Sequence, residues 1–136
     1  MGLIVLDTGP LIAFLDRDDT HHIAATASLA QARDSGSQMI LPASSYTELL
    51  VGPTRRGPEA IAAVDGFLAE MPIDVEALTR EISRIAARLR GKTNLRLPDA
   101  LVIATAIHVG SDELVTSDRR WPSARSLGYD GMISVL

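Results

Sequence analysis

The stretch Leu3–Leu15, LIVLDTGPLIAFL, limits the possible folds more than any other part of the chain. Leu3–Leu6 is a short apolar run that stops at Asp7; Thr8, Gly9 and Pro10 follow, and a second apolar run begins. A few apolar residues ended by a break read as a buried strand. Pro10 cannot continue a strand ladder, but it suits the first position of a helix, where its missing N–H would have had no partner. The stretch therefore reads as strand, acid, tight turn, helix. In an open α/β sheet, ligands bind beyond the carboxyl ends of the strands, and Asp7 would stand at that edge.

At 136 residues the chain is expected to form one domain, residues 1–136, with a substantial core. Aromatic residues make up only 4 %, so that core must be aliphatic and alanine-rich. Cysteine is absent, which excludes a disulfide scaffold, a thiol nucleophile and a zinc–thiolate site and fits a reducing compartment. No signal-like segment opens the chain, and no apolar run approaches the length of about 18 residues that a membrane helix needs. A cytoplasmic protein with no membrane partner is expected. The net charge of −4 counts against passive nucleic-acid binding, which draws on phosphate neutralisation. It leaves room for an enzyme whose acids hold cations. Lys92 is the only lysine; every other basic residue is arginine.

Strands and helices alternate along the chain. Thr20 can cap a helix running to about Arg33, with Ile23, Ala27 and Ala30 on one face. Met39–Leu41 reads as a strand stopped by Pro42. Ser45 reads as the cap of a helix ended by Gly52-Pro53, and Thr54–Pro58 as a loop carrying Arg55 and Arg56. A helix follows over Glu59–Ala69, a strand within Met71–Val75, and a helix over Glu76–Leu89 with Leu78, Ile82, Ile85 and Leu89 on one side. Gly91–Arg96 reads as a turn. Leu97–Val109 is apolar nearly all round, as a buried helix is, with Pro98 at its start and Gly110 past its end. Glu113–Val115 and Met132–Leu136 read as strands. This alternation predicts an α/β fold with a central parallel sheet and helices on both faces.

Four acids then occupy comparable places. Asp7 ends the first strand, Glu48 and Asp99 lie in the first turns of helices, and Asp118 follows the strand Glu113–Val115. Each has an ordinary structural reading. Asp7 can cap its helix, and Glu48 completes a Ser45-x-x-Glu48 capping box. Asp99 complements a helix dipole, and Asp118 suits a turn. Yet four independent caps need not share one sheet edge, whereas a metal site requires it. Two carboxylates about 4 Å apart repel by roughly 4 kcal/mol at an effective dielectric near 20. A cluster must therefore take up protons or hold a cation. Mg²⁺ or Mn²⁺ suits oxygen ligands and supports water activation and phosphoryl-charge stabilisation. Metal-assisted phosphodiester hydrolysis is the chemistry these residues could carry.

The chain resembles the PIN-domain ribonucleases, specifically the VapC-type toxins of toxin–antitoxin pairs. The pieces that carry the resemblance are VLDTGPLIAFLD at the start, Ser45-Tyr46-Thr47-Glu48-Leu49, Leu97–Ala106, and Leu114-Val115-Thr116-Ser117-Asp118, in the family's order. The resemblance implies a three-layer PIN-like fold. It implies Asp7, Glu48, Asp99 and Asp118 as the catalytic acids, with Asp7, Asp99 and Asp118 on the metal and Thr116 as a supporting hydroxyl. It further implies a Mg²⁺- or Mn²⁺-dependent endoribonuclease acting on an RNA substrate, a homodimer, and inhibition by a cognate VapB-type antitoxin. Trp121 departs from the Phe that many relatives carry but keeps an apolar anchor after Asp118. A catalytically inactive PIN-like module that binds RNA or protein is the alternative.

Other arrangements fit less well. A phospho-receiver domain needs an early acid pair and a lysine after a late strand, and Lys92 precedes the buried helix. A haloacid-type phosphatase wants a second Asp where Gly9 stands. Asp16, Asp18 and Asp19 read as a solvated loop, and His21 and His22, about 100° apart on a helix, chelate poorly. Arg80, Arg84 and Arg88 form a basic stripe that reads as a solvated face or as a contact for RNA or antitoxin. Arg55, Arg56, Arg96, Arg119 and Arg120 stand on loops able to approach the acids.

Overall fold

The computed structural model describes residues 2–136. Five strands, β1 (Leu3–Leu6), β2 (Gln38–Pro42), β3 (Ile73–Glu76), β4 (Glu113–Thr116) and β5 (Met132–Val135), form one parallel sheet in the order β3-β2-β1-β4-β5. Seven helices are described: α1 (Thr8–Leu15), α2 (His22–Asp34), α3 (Ala43–Arg56), α4 (Pro58–Glu70), α5 (Arg80–Lys92), α6 (Leu97–Val109) and α7 (Ala124–Leu127). The α/β reading, with a parallel central sheet covered on both faces, holds.

Two cores sandwich the sheet. Val5, Ile40 and Leu114 point into one with α5, α6 and α7. Ile4, Leu6, Met39, Leu41 and Val115 point into the other with α1 to α4. This is the two-residue alternation of a strand buried on both faces. From β1 the chain adds β2 and then β3 on one side; it then crosses back to place β4 on the other side of β1. The order reverses between β1 and β4, so the crevice at a topological switch point opens at their carboxyl ends.

Several local expectations change. The first helix begins at Thr8, not Pro10, because Asp7 accepts a hydrogen bond from the Thr8 N–H at 2.8 Å and caps it there. Thr20 does not cap α2, which starts at His22. α2 buries Ala25, Leu29 and Ala32 and leaves Ile23 83 % exposed. Both stripes have the same helical spacing and differ only by a two-residue offset. Ser45 is no cap either. Pro42 ends β2, α3 begins at once, and Ser45 is fully buried one turn in. Pro53 does not stop α3; the helix continues until Gly57, whose φ of 119° favours glycine and breaks it from α4. Arg55 and Arg56 are therefore helical. α5 starts only at Arg80, where the Thr79 hydroxyl accepts from the Ile82 N–H at 3.2 Å, leaving Leu78 half-exposed outside it.

Candidate active site at the switch point

β1 and β4 are neighbours, and the Asp7 N–H donates to the Val115 carbonyl at 2.9 Å, continuing their ladder by one residue. Asp7 and Thr116 are thereby held side by side. The Thr116 hydroxyl donates to Asp7 Oδ2 at 2.8 Å and accepts from the Asp118 N–H at 3.0 Å. One buried hydroxyl thus fixes the Asp7 carboxylate and the turn that carries Asp118. α1 is seated closely on this turn. A Cβ at Gly9 would lie 2.2 Å from the Ser117 hydroxyl oxygen, so only glycine fits without a shift.

The other acids come from α3 and α6. Glu48 accepts from the Thr8 hydroxyl at 3.4 Å, and the same hydroxyl lies 3.3 Å from the Ser45 carbonyl. Asp99 stands in the first turn of α6 with Arg96 Nε 3.5 Å from its Oδ2. Asp118 is gripped by Arg120, whose Nε and Nη2 reach its two oxygens at 3.2 Å each, while the Arg120 N–H donates to Oδ1 at 2.8 Å. Asp99, Asp118, Arg96 and Arg120 line a cleft of about 270 Å³ walled by Asn94, Trp121 and Pro122.

The electrostatics separate two of these acids. Burial holds the Asp7 carboxyl above the usual carboxylate range; the Thr116 and Thr8 hydrogen bonds oppose this, and the Asp99 and Glu48 charges add to it. Asp7 is therefore a half-buried carboxylate with two like charges acting on it. Asp118 goes the other way, lowered chiefly by its hydrogen bond from the Arg120 guanidinium.

The donor set is entirely hard oxygen, which fits Mg²⁺ or Mn²⁺ rather than zinc. Among the described residues no three acids or histidines are gathered into a ready-made ligand cluster. The excess negative charge at Asp7 is the feature that a cation would relieve.

Sequence reading had not singled out Thr8 or Ser45 as site residues, nor the Arg120–Asp118 fork. Ser45 Oγ is buried with no hydrogen-bond partner, one turn before Glu48 on α3; the Ser45-x-x-Glu48 spacing imitates a capping box and masks this position. Of the arginines, Arg96 and Arg120 reach the cleft. The acids Asp16 and Asp19 serve local turns, accepting from the Asp18 and His21 N–H groups. The His22 Nδ1–H donates to the Ala13 carbonyl at 2.8 Å.

The sequence matches the PIN domain family over residues 4–127, and the chain belongs to that family. Comparison with curated proteins gives no match. Among solved structures, the fold is similar to VapBC2 from Rickettsia felis bound to a DNA fragment from its promoter. The TM-score is 0.76 at 14 % identity, covering 98 % of both chains. It is similar to VapC20 of Mycobacterium tuberculosis, described as a Sarcin-Ricin loop cleaving toxin, with TM-score 0.71 and 19 % identity over 86 % of this chain and 91 % of that one. A toxin–antitoxin complex from Klebsiella pneumoniae gives TM-score 0.70 and 22 % identity over 86 % of this chain and 88 % of that one.

Proposed function

We propose that this chain is a Mg²⁺- or Mn²⁺-dependent endoribonuclease of the VapC toxin type, acting on RNA in the cytoplasm and inhibited by a cognate antitoxin. The observation that carries the reading is Asp7: a half-buried carboxylate at the switch point of a PIN fold, hydrogen-bonded by Thr116 and pressed by the charges of Asp99 and Glu48. The solved relatives add support, since one is described as cleaving the Sarcin-Ricin loop and another is a toxin–antitoxin complex. The chain acts as one domain over residues 1–136 and pairs as a homodimer in this reading.

Asp7 and Asp99 would hold the divalent ion, with Asp118 joining them once Arg120 releases it. When bound, the ion supplies an activated water and neutralises charge on the phosphoryl oxygens. Thr116 keeps the Asp7 carboxylate aimed by its hydrogen bond. Glu48 would add the fourth acid and serve as acceptor of a proton from water. Arg96 and Arg120, both at the cleft, can trade their carboxylate partners for phosphate oxygens, which a guanidinium fork matches equally well. A basic side chain from the antitoxin would neutralise the same carboxylates and displace the ion.

The test uses Asp7→Asn and Asp99→Asn, purified and shown to be folded. Both should lose metal-dependent RNA cleavage by at least about 100-fold, the order expected for groups that stabilise transition-state charge. A variant that cuts RNA at the wild-type rate contradicts the assignment. Folded wild-type protein that binds RNA but never cuts it would instead make this a PIN-like binding module.

A further inference from the structure

A second cavity, of about 340 Å³, lies between α5, α6 and α7. Its floor is apolar: Leu89 and Leu127 are buried core residues, and Ile85 and Ile107 pack beside them. Its rim carries Arg88, Lys92 and Arg125, and no acidic residue lines it. Among the described residues none of these three cations forms a salt bridge. Lys92 in the last turn of α5 offsets the partial negative charge of that helix end, which leaves Arg88 and Arg125 in excess. In a chain of net charge −4, three unpaired cations around one hollow are a local reversal of sign.

The cavity adjoins the acidic cleft through both segments they share. Thr93 lines the cavity and Asn94 lines the cleft. On the other side Pro122 lines the cleft and Arg125 the cavity. Three residues of chain span at most about 11 Å, so the cations stand within a few nucleotides of the acids. Arg84 and Arg88, four apart on α5, border a hollow next to it together with Glu81, and Lys92 continues the same helical row.

We propose that Arg88, Lys92 and Arg125 form a binding site for the phosphodiester backbone of an RNA strand, seating the nucleotides that flank the bond held at the acids. The inference rests on the nuclease reading for the identity of the strand. The cations attract phosphate, and the acid-free lining removes the repulsion an RNA strand meets at the catalytic acids. The segments Lys92–Arg96 and Arg120–Arg125 thus run between cavity and cleft with a basic residue at each end.

The experiment measures binding of a short fluorescent single-stranded RNA to Asp7→Asn protein as salt is varied. Adding Arg88→Gln, Lys92→Gln and Arg125→Gln should lower the log–log salt slope by about 2, since each phosphate contact on a single strand contributes roughly 0.7. Affinity should fall roughly a hundredfold at 0.1 M salt and little near 1 M, because the counterion term vanishes there. Arg88→Lys with Arg125→Lys keeps the charge and should keep the slope. Neutralising Arg17 and Arg33, which do not line the cavity, should change it by less than about 1. An unchanged slope in the cavity variant, an equal change in the distant one, or wild-type protein that binds no RNA overturns the site. So does a cavity variant that loses affinity for an acidic peptide but not for RNA. Cleavage by the wild-type protein is followed in parallel. If wild-type protein cuts RNA but the cavity variant binds as before, the cavity fails alone. If nothing is cut while the cavity variant still loses binding, the nuclease reading fails and the site stands.

Discussion

Asp7 serves twice, as helix cap and as an acid raised by desolvation, and these duties can be separated. Asparagine is an equally good cap, so Asp7→Asn should keep α1 while removing the half-buried charge. Because the Asp7 carboxyl is raised in the folded protein, its ionisation costs stability once pH exceeds the value 3.8 of an unperturbed Asp. The protein is relatively more stable where Asp7 is protonated, and loses that stability as pH rises through the raised folded value. Asp7→Asn should therefore melt at a higher temperature than wild type at pH 7. The advantage should shrink to nothing as pH falls below both values; an advantage that grows on acidification contradicts the burial argument. Thr116→Val probes the same carboxylate from the other side. It removes a hydrogen bond that lowers Asp7 and leaves the Asp118 N–H without its partner. The expected cost is about 1–3 kcal/mol, and the acid limb of the pH–rate profile should move to higher pH.

At the scale of elements, the site depends on how closely α1 sits against the turn after β4. Gly9→Ala would force the Ser117 hydroxyl into another rotamer or the helix outward. The expected loss is about 1 kcal/mol, within the range for overpacking. Adding Ser117→Ala removes the clashing oxygen and should restore most of it in chemical denaturation; full loss in the double variant would place the strain elsewhere. Elements also show where sequence reading succeeds and fails. β1 and α6 were legible because each is an unbroken apolar pattern with a sharp boundary, β1 a short run stopped at Asp7 and α6 a long one bounded by Pro98 and Gly110. α3 was misread at both ends. Its start lacks a capping side chain, since Pro42 passes straight from strand to helix. Its interior tolerates Pro53, and the Gly57 N–H donates to the Pro53 carbonyl to close the last turn. The buried face of α2 was mistaken because Ile23, Ala27 and Ala30 repeat at the same spacing as Ala25, Leu29 and Ala32, and alanines carry little contrast. α7 escaped notice although Ser123 and Gly128 bracket it as cap and left-handed terminator.

The whole molecule draws its four acids from four separate places, after β1, after β4, in the first turn of α6 and, for Glu48, past the first turn of α3 where the sequence had suggested the first turn itself, which is why no local pattern reveals their relations. That Asp7, Asp99 and Glu48 belong together follows from parallel topology, and topology was inferable from strand and helix alternation. The Arg120 fork on Asp118 was not, because it depends on a turn conformation within three residues. No described helix is long and apolar enough to cross a membrane. Binding of Mg²⁺ or Mn²⁺ to the folded state alone must raise the melting temperature with ion concentration. Wild type should show that rise and Asp7→Asn should lose it; equal shifts in both would move the ion away from Asp7.

Cleavage of RNA with a divalent ion held at Asp7 and Asp99 is tested most directly by incubating purified wild-type protein with total cellular RNA, with Mg²⁺ or Mn²⁺ and with a chelator, and mapping the new ends. Discrete new ends are expected with either ion and none with chelator. Ends that form equally in chelator, or no new ends under any condition from folded protein free of a co-purifying partner, would contradict this reading.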